Sequence, residues 1–202
     1  MPAIRSPRHK LSRREGVDLF GNGGESLQRR LNKLPGQTSQ RPPRQQSEYG
    51  RQLREKQKVK RMYGMREKQF RRFFSLASRS KGITGYEMLK LLERRLDNIV
   101  YRLGFSVTRL QSRQLVSHGH VFVDGKRVNI ASYLVKPGAS IQLDATAQAI
   151  PSVKELLDGK VAVPGWLERS SEPGAGRVLR DPERGEIDPG IQETLIVEFY
   201  SR

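Results

Sequence analysis

The chain has 202 residues, 38 Lys/Arg against 21 Asp/Glu, a net charge of +17 and no cysteine. That length allows one good core or two small ones, and the charge implies a polyanionic partner, with nucleic acid ahead of an anionic membrane. The missing cysteines exclude disulfides and thiolate metal centres, and no apolar run approaches the roughly 20 residues that span a bilayer.

The charge is uneven. Residues 1–81 hold 22 Lys/Arg against 6 Asp/Glu, residues 82–141 hold 9 against 4, and residues 142–202 hold 7 against 11. The electrostatic end of the protein is therefore its N-terminal two-fifths. The start, MPAIRSPRHKLSRREG, is basic and free of acids up to Glu15, as an organellar presequence is, but lacks the apolar stretch of a secretory signal. A cytosolic protein is the plain reading. Residues 1–46, with GNGGES and Pro42-Pro43, read as an extended, loop-rich basic arm that a polyanion orders.

From Ser47, an N-cap candidate, helix formers run to about residue 80, with Gly64 dividing them into two helices. Arg51, Arg54, Lys56, Lys58, Lys60 and Arg61 occupy most of the circumference of the first helix, more than a solvated face needs. Tyr49 and Tyr63 flank it, suited to stacking or to lining a phosphate contact. In the second, Phe70, Phe73, Phe74 and Ala77 form an apolar stripe that reads as core rather than as a base-stacking platform.

Residues 83–104 predict one helix. Thr84 with Glu87 has a capping-box pattern, Leu89, Leu92, Leu96, Ile99 and Leu103 recur at 3 and 4, and Gly104 sits where a C-cap glycine belongs. Arg94, Arg95 and Arg102 lie off that stripe. Thr108 with Gln111 starts a short helix over 109–117, on which Arg109 and Arg113 share a face. HVFVDGKRVNI then reads as a hairpin around Asp124-Gly125, with Lys126 and Arg127 just past the turn, and SIQL follows the turn at Pro137-Gly138. PSVKELL predicts a short helix. The terminal ETLIVEFYSR reads as a strand that returns to an earlier domain for its partner.

No catalytic pattern survives inspection. Gly119 and Gly125 are separated by five residues where a phosphate loop needs four, and Arg127 stands where it requires Ser or Thr. GNGGES is a partial dinucleotide motif with no strand before it. His118 and His120 have no metal-ligand partners at suitable spacing. Each can terminate the helix beside its C-terminal dipole, or donate to a phosphate or a 2′-hydroxyl, and both readings stand.

RLDNIVYRLGF followed by TRLQSRQLVSHGHVFVDGKRVNIASYLVKPG resembles the small RNA-binding domain named after small-subunit ribosomal protein four. RNA-modifying enzymes and a tRNA synthetase carry that domain as an accessory, and short ribosome-associated stress factors share it. The flanks PRHKLSRREG, YGRQLREKQKVKRMYGMREKQF and KGITGYEMLKLLERRLDN, with the ending IVEFYSR, resemble the bacterial family of that ribosomal protein itself. No segment remains for a catalytic domain, so an enzyme is not expected.

The resemblance implies an α+β protein. Residues 1–46 would be the arm, 47–93 with about 175–202 a mostly helical first domain, and 94–174 an inserted RNA-binding domain with its core motif at 94–143. It also implies a cytoplasmic, ribosomal location. The protein would bind the 5′ domain of small-subunit rRNA, nucleate assembly and contribute to translational accuracy. Neighbouring proteins, protein five among them, and mRNA on its way into the subunit would be partners. A membrane, a cofactor and a homo-oligomer are not expected. Some members repress their own mRNA; nothing in this sequence indicates whether this one does. The expected RNA contacts are Arg51, Arg54, Lys58, Arg61 and Tyr63 in the first domain, and Arg95, Arg109, Ser112, Arg113, His118, His120, Lys126 and Arg127 in the inserted one.

Many relatives carry a four-cysteine zinc knuckle near the N-terminus, in which a Cys-x-x-Cys precedes Arg-Arg-Glu-Gly; here His9 and Ser12 stand at the positions of that pair. The arm must then be held by RNA or by basic packing. Elemental analysis of the purified protein is expected to find no stoichiometric zinc, and one equivalent would overturn that expectation.

Overall fold

The fold is described from a computed structural model, which describes residues 7–21, 23–36, 46–159 and 161–202. The chain forms two compact units, residues 1–72 with 190–202, and residues 73–189. Both ends thus belong to one unit and the other is an insertion.

In the first unit, α1 (Arg8–Glu15) and α2 (Gly24–Gln28) occupy part of the stretch expected to be extended. Local ties explain their order. The Asp18 carboxylate accepts from the backbone N–H groups of Phe20, Gly21 and Gly23 at 2.9–3.1 Å, and buried Ser12 Oγ accepts from Leu19 N. Arg13 donates to the carbonyls of Lys33 and Leu34. Leu11, Leu19 and Leu27 are buried, so a few apolar anchors suffice once the polar groups are satisfied. The Pro42-Pro43 segment lies outside the described residues.

The next helix, α3 (Glu48–Met62), begins where expected: the Ser47 hydroxyl accepts from Gly50 N at 3.2 Å. Gly64 (φ 60°) ends the turn between α3 and α4 (Glu67–Ala77), on which Phe70, Phe73 and Ala77 are buried. The terminal segment is not a strand but α10 (Glu193–Tyr200), packed along α3. Its β-branched and aromatic residues cost only a few tenths of a kcal/mol each in a helix, less than burying Ile196, at 0 % exposure, returns. Leu195, Ile196, Phe199 and Tyr200 also fall at helical spacing.

Polar clasps hold α10. Gln52 Nε2 donates to Glu198 at 2.9 Å, Lys56 Nζ lies 4.2 Å from the Phe199 ring centroid, and Gln192 N donates to Glu55 at 2.8 Å. Tyr200 Oη, Lys56 Nζ and Lys60 Nζ all converge on Glu67 at 2.8 Å.

In the second unit the helix expected over 83–104 is two: α5 (Thr84–Glu93), which starts one residue after an Ile83 N-cap, and α6 (Leu96–Arg102). The break has a tertiary cause. Leu96 N and Asp97 N donate to the carbonyls of Tyr133 and Ala131, and Val135 N donates to Arg94 O, so a distant loop replaces the helix's own hydrogen bonds. The leucine stripe stays buried on both sides of the break: Leu89 and Leu92 of α5 are 0 % exposed, and Leu96 and Ile99 of α6, with its C-cap Leu103, join a core with Trp166 and Phe105. At Gly104 (φ 72°) α6 closes, with Phe105 N donating to Val100 O. A Cβ there would meet the Val161 side chain at 2.7 Å.

Then comes α7 (Arg109–Ser117), capped by Thr108 Oγ1 accepting from Gln111 N at 3.2 Å. The strands β1 (Val121–Val123) and β2 (Lys126–Arg127) form the expected hairpin, and Asp124 and Gly125 have φ of 49° and 72°, the primed turn that matches strand twist. With β3 (Ser140–Leu143), β4 (Leu167–Arg169) and β5 (Ala175–Val178) they make an antiparallel sheet in the order β2-β1-β3-β5-β4. Between β3 and β4 lie α8 (Ala145–Gln148) and α9 (Pro151–Asp158). Because β5 pairs with β3, residues 175–189 join the inserted unit, and α5 does as well.

At the α5–α6 break the Arg95 guanidinium, 0 % exposed, donates to both Asp97 oxygens at 3.0 and 2.6 Å. Removing one partner strands a buried charge, whereas replacing both with apolar groups does not. Asp97→Ala is expected to cost about 3–5 kcal/mol in urea unfolding. Arg95→Met with Asp97→Leu should cost clearly less, and equal losses would contradict this account.

Glu67 gives a second expectation. Partial burial pushes its carboxyl up, yet hydrogen bonds from Lys56, Lys60 and Tyr200 hold it down at about 2. Its folded value lies below its ordinary 4.5, so its contribution is complete above that range and is lost as pH falls towards 2. The urea midpoint should fall more steeply between pH 4.5 and 2 for the wild type than for Glu67→Gln.

Candidate nucleic-acid interface

The residues expected to meet RNA divide into buried holders, cations engaged in internal pairs, and exposed groups. Arg95, Ser112 and Tyr63 are buried at 0, 0 and 3 % exposure, so as placed here they hold the fold rather than face a partner. Arg95 is closed in by Asp97 and the Phe73 ring, and Ser112 Oγ meets Ser106 Oγ at 2.5 Å. Tyr63 closes the end of α3. The leucine periodicity puts Arg95 on the helix surface, but the backbone leaves the helix at that residue and turns it inward.

In the first unit the α3 cations are tied to acids. Arg54 and Arg61 both pair with Glu15 of α1, whose side chain is 1 % exposed. Burial pushes the Glu15 carboxyl above 4.5, against the pull of Arg54 and Arg61, and the same burial lowers the Arg61 guanidinium. Lys58 pairs with Glu55 at 2.7 Å and donates to Gly190 O, and Arg51 pairs with Glu48. Much of the basic circumference of α3 therefore belongs to internal packing.

Sequence reasoning passed over another cationic face. Lys68, Arg71 and Arg72 of α4 are exposed, as is Arg66 just before it. They lie opposite the buried Phe70, Phe73 and Ala77 at a spacing of 3 and 4, so the signal was present: the stripe that marks the core also marks, by exclusion, the outward face.

In the inserted unit a polar lattice joins α5, α6 and α7. The Glu93 carboxylate, 0 % exposed, accepts from Arg102 at 2.8 and 3.0 Å and from Asn98 Nδ2 at 2.8 Å. Asn98 Oδ1 in turn accepts from Arg109 Nε at 2.9 Å, and the Arg109 guanidinium lies 4.5 Å from the Tyr101 ring centroid. Arg113 stands 3.9 Å from Asp97. Arg102, Arg109 and Arg113 remain partly exposed, so buried acids and an amide fix guanidinium groups on side chains that still reach the surface. Immobilising a guanidinium beforehand lowers the entropy lost when it meets a phosphate.

Next to this lattice, Arg127 donates to Gly119 O at 2.5 Å and to His118 O at 3.2 Å, satisfying the carbonyls of the α7 C-cap and of the residue after it. His118 is exposed and caps that end. His120 Nδ1 meets Asp144 Oδ2 at 2.9 Å, and although burial opposes it, the His120 and Ala147 hydrogen bonds hold the Asp144 carboxyl below its usual range. Lys126 is exposed at the hairpin. Among the described residues no cluster of three His, Cys, Asp or Glu is placed to hold a metal ion, and no helix is long and apolar enough to cross a membrane.

Two family matches cover the chain from residue 3 to residue 141: the ribosomal protein S4/S9 N-terminal domain over residues 3–93 and the S4 domain over residues 94–141. The chain is 50 % identical to the small ribosomal subunit protein uS4 of Natranaerobius thermophilus and 50 % identical to that of Dictyoglomus thermophilum. It is 46 % identical to that of Brevibacillus brevis, and in all three cases the match covers 100 % of both chains. The α+β fold, the inserted S4 domain and identity along the full length agree, and the chain belongs to the small ribosomal subunit protein uS4 family.

Proposed function

We propose that the protein is a structural component of the small ribosomal subunit that binds the 5′ domain of its rRNA and nucleates folding of that region. The carrying observation is the lattice in which buried Glu93, Asn98 and Asp97 hold Arg102, Arg109 and Arg113 at the surface of a matched S4 domain. In the uS4 family the work is done by binding, so no catalytic step is involved and the chain is not an enzyme.

Neutralising phosphates where RNA helices converge offsets their mutual repulsion and releases counterions. A-form grooves hide most base information, so backbone and shape dominate recognition of the helical parts. Arg102, Arg109, Arg113, Lys126 and the exposed α4 cations Lys68, Arg71 and Arg72 supply the charge. Arg51, Arg54, Lys58 and Arg61 contribute what their internal pairs leave exposed, and Arg127 shapes the α7–β1 corner. The same reading includes a cytoplasmic ribosome, contact with protein five and with incoming mRNA, and a contribution to accuracy. Self-repression, where it operates, would use the same surface on the messenger.

Binding of the full chain to a 5′-domain transcript across a salt series, with tRNA as competitor, tests the reading. Tight, competitor-resistant binding with a steep slope is expected; weak binding that tRNA displaces would leave a generic basic RNA binder. Arg109→Gln with Arg113→Gln should weaken binding and flatten the log–log salt slope by about one for each phosphate no longer neutralised. Unchanged affinity and slope would remove α7 from the interface. An integral component should also remain with small subunits sedimented through high salt, where a transient visitor is washed away.

A further inference from the structure

Along α7 and the turn through Gly119 into β1, the surface holds a half-open cavity of about 180 Å³ lined by Gln111, Gln114, Leu115, His118, His120 and Ile150. Leu115 is buried and Ile150 half-buried, giving an apolar floor. The four polar liners are two carboxamides and two imidazoles, each with both donor and acceptor capacity.

The lining is informative for what it omits. The chain has 38 Lys/Arg, yet no Lys or Arg among the described residues lines this cavity. The cavity runs along α7 from Gln111, in the first turn, to the His118 cap. A phosphate would find no Lys or Arg in the lining, because the neighbouring Arg127 is turned to the Gly119 and His118 carbonyls. A neutral, planar group with a polar edge finds an apolar floor and a mixed donor–acceptor rim. At about 180 Å³ the space is smaller than the roughly 300–1,000 Å³ that takes drug-sized ligands, so it suits one base and not a base pair.

Two rim groups are held in place without any ligand. Gln111 Oε1 accepts from Val107 N and its Nε2 donates to Ser152 Oγ, both at 2.9 Å. His120 is oriented by Asp144, whose other oxygen accepts from Ala147 N at 2.7 Å and so caps α8. Exposed Gln114 and His118 complete the rim from α7 and its end.

We propose that this corner receives a single unpaired base of the bound RNA, with adenine the best match because a glutamine amide pairs in bidentate fashion with adenine N6 and N7. The inference rests on the RNA-binding reading and deepens it: the arginine lattice supplies charge, and the cavity reads one extruded base beside it. Sequence-specific RNA recognition by proteins generally works on such unstacked bases.

Nuclear magnetic resonance of the full chain tests it directly. Adenosine, uridine and inorganic phosphate are each titrated at millimolar concentration while the His118 and His120 ring signals and the Gln114 amide are followed. Adenosine should shift them saturably, and its complex should be displaced by the 5′-domain transcript. Shifts from phosphate alone, from uridine as strongly as adenosine, or from none of the three would overturn the proposal, as would failure of the transcript to compete.

The variant Gln114→Leu, at an exposed position, should keep the fold by circular dichroism and bind the transcript about tenfold more weakly at an unchanged salt slope. If the wild type binds the transcript and Gln114→Leu is indistinguishable from it, the base pocket alone is wrong. If the wild type does not bind the transcript at all, the RNA-binding reading and the pocket inference both fail.

Discussion

A guanidinium held away from water at the junction of two helices organises the inserted unit. Arg95 is desolvated completely, which is tolerable only because Asp97 meets it with both oxygens, so residues 94–97 must adopt the geometry of that pair. The backbone leaves the helix there, the 131–135 loop takes over its hydrogen bonds, and α6 starts on a new axis. Only from that start do Glu93 and Asn98 face Arg102 and Arg109. The presentation of arginines on α6 and α7 is thus a consequence of one buried ion pair and its neighbours.

The same logic extends to the charge excess as a whole. Arg54 and Arg61 grip Glu15, Lys56 and Lys60 grip Glu67, Lys58 grips Glu55, and Arg127 stops the end of α7. The first unit thereby uses scarce carboxylates as fixed points to which abundant cations attach. Its described arm is tied by such pairs and by Asp18, where a relative with a knuckle would use metal. Salt-dependent binding draws on the exposed remainder, so net charge overstates the number of phosphates the surface can meet at once.

Local features were legible in the chain. Ser47 and Thr108 cap as their types suggest, Asp124-Gly125 makes the hairpin turn, and Gly104 closes α6, because each depends on a few adjacent residues. The candidate site was legible as a region and less so residue by residue. Arg109, Arg113, His118 and Lys126 lie at the surface, whereas Arg95, Ser112 and Tyr63 do not. A charge or hydroxyl in a motif carries no mark of which way it faces when a helix breaks beside it. The outward cations of α4 could have been read from the phenylalanine stripe.

From the sequence alone came the basic character, the helical and hairpin segments, the inserted RNA-binding domain and the resemblance along the full chain. The character and segments rest on composition, on 3.6- and 2-residue periods and on short motifs, all of which act over a few residues, whereas the inserted domain is what the resemblance implies. Tertiary structure alone decided the α5–α6 break, the helical state of residues 193–200, the strands LER and AGRV, and the cavity at the α7–β1 corner. In each the deciding partner is distant in the chain: Ala131 and Tyr133 for the break, α3 for α10, β3 for β5, and Ile150 for the cavity. Intrinsic preferences differ by less than about 1 kcal/mol per residue, so a buried ion pair, a packed leucine stripe or a ladder of hydrogen bonds outweighs them.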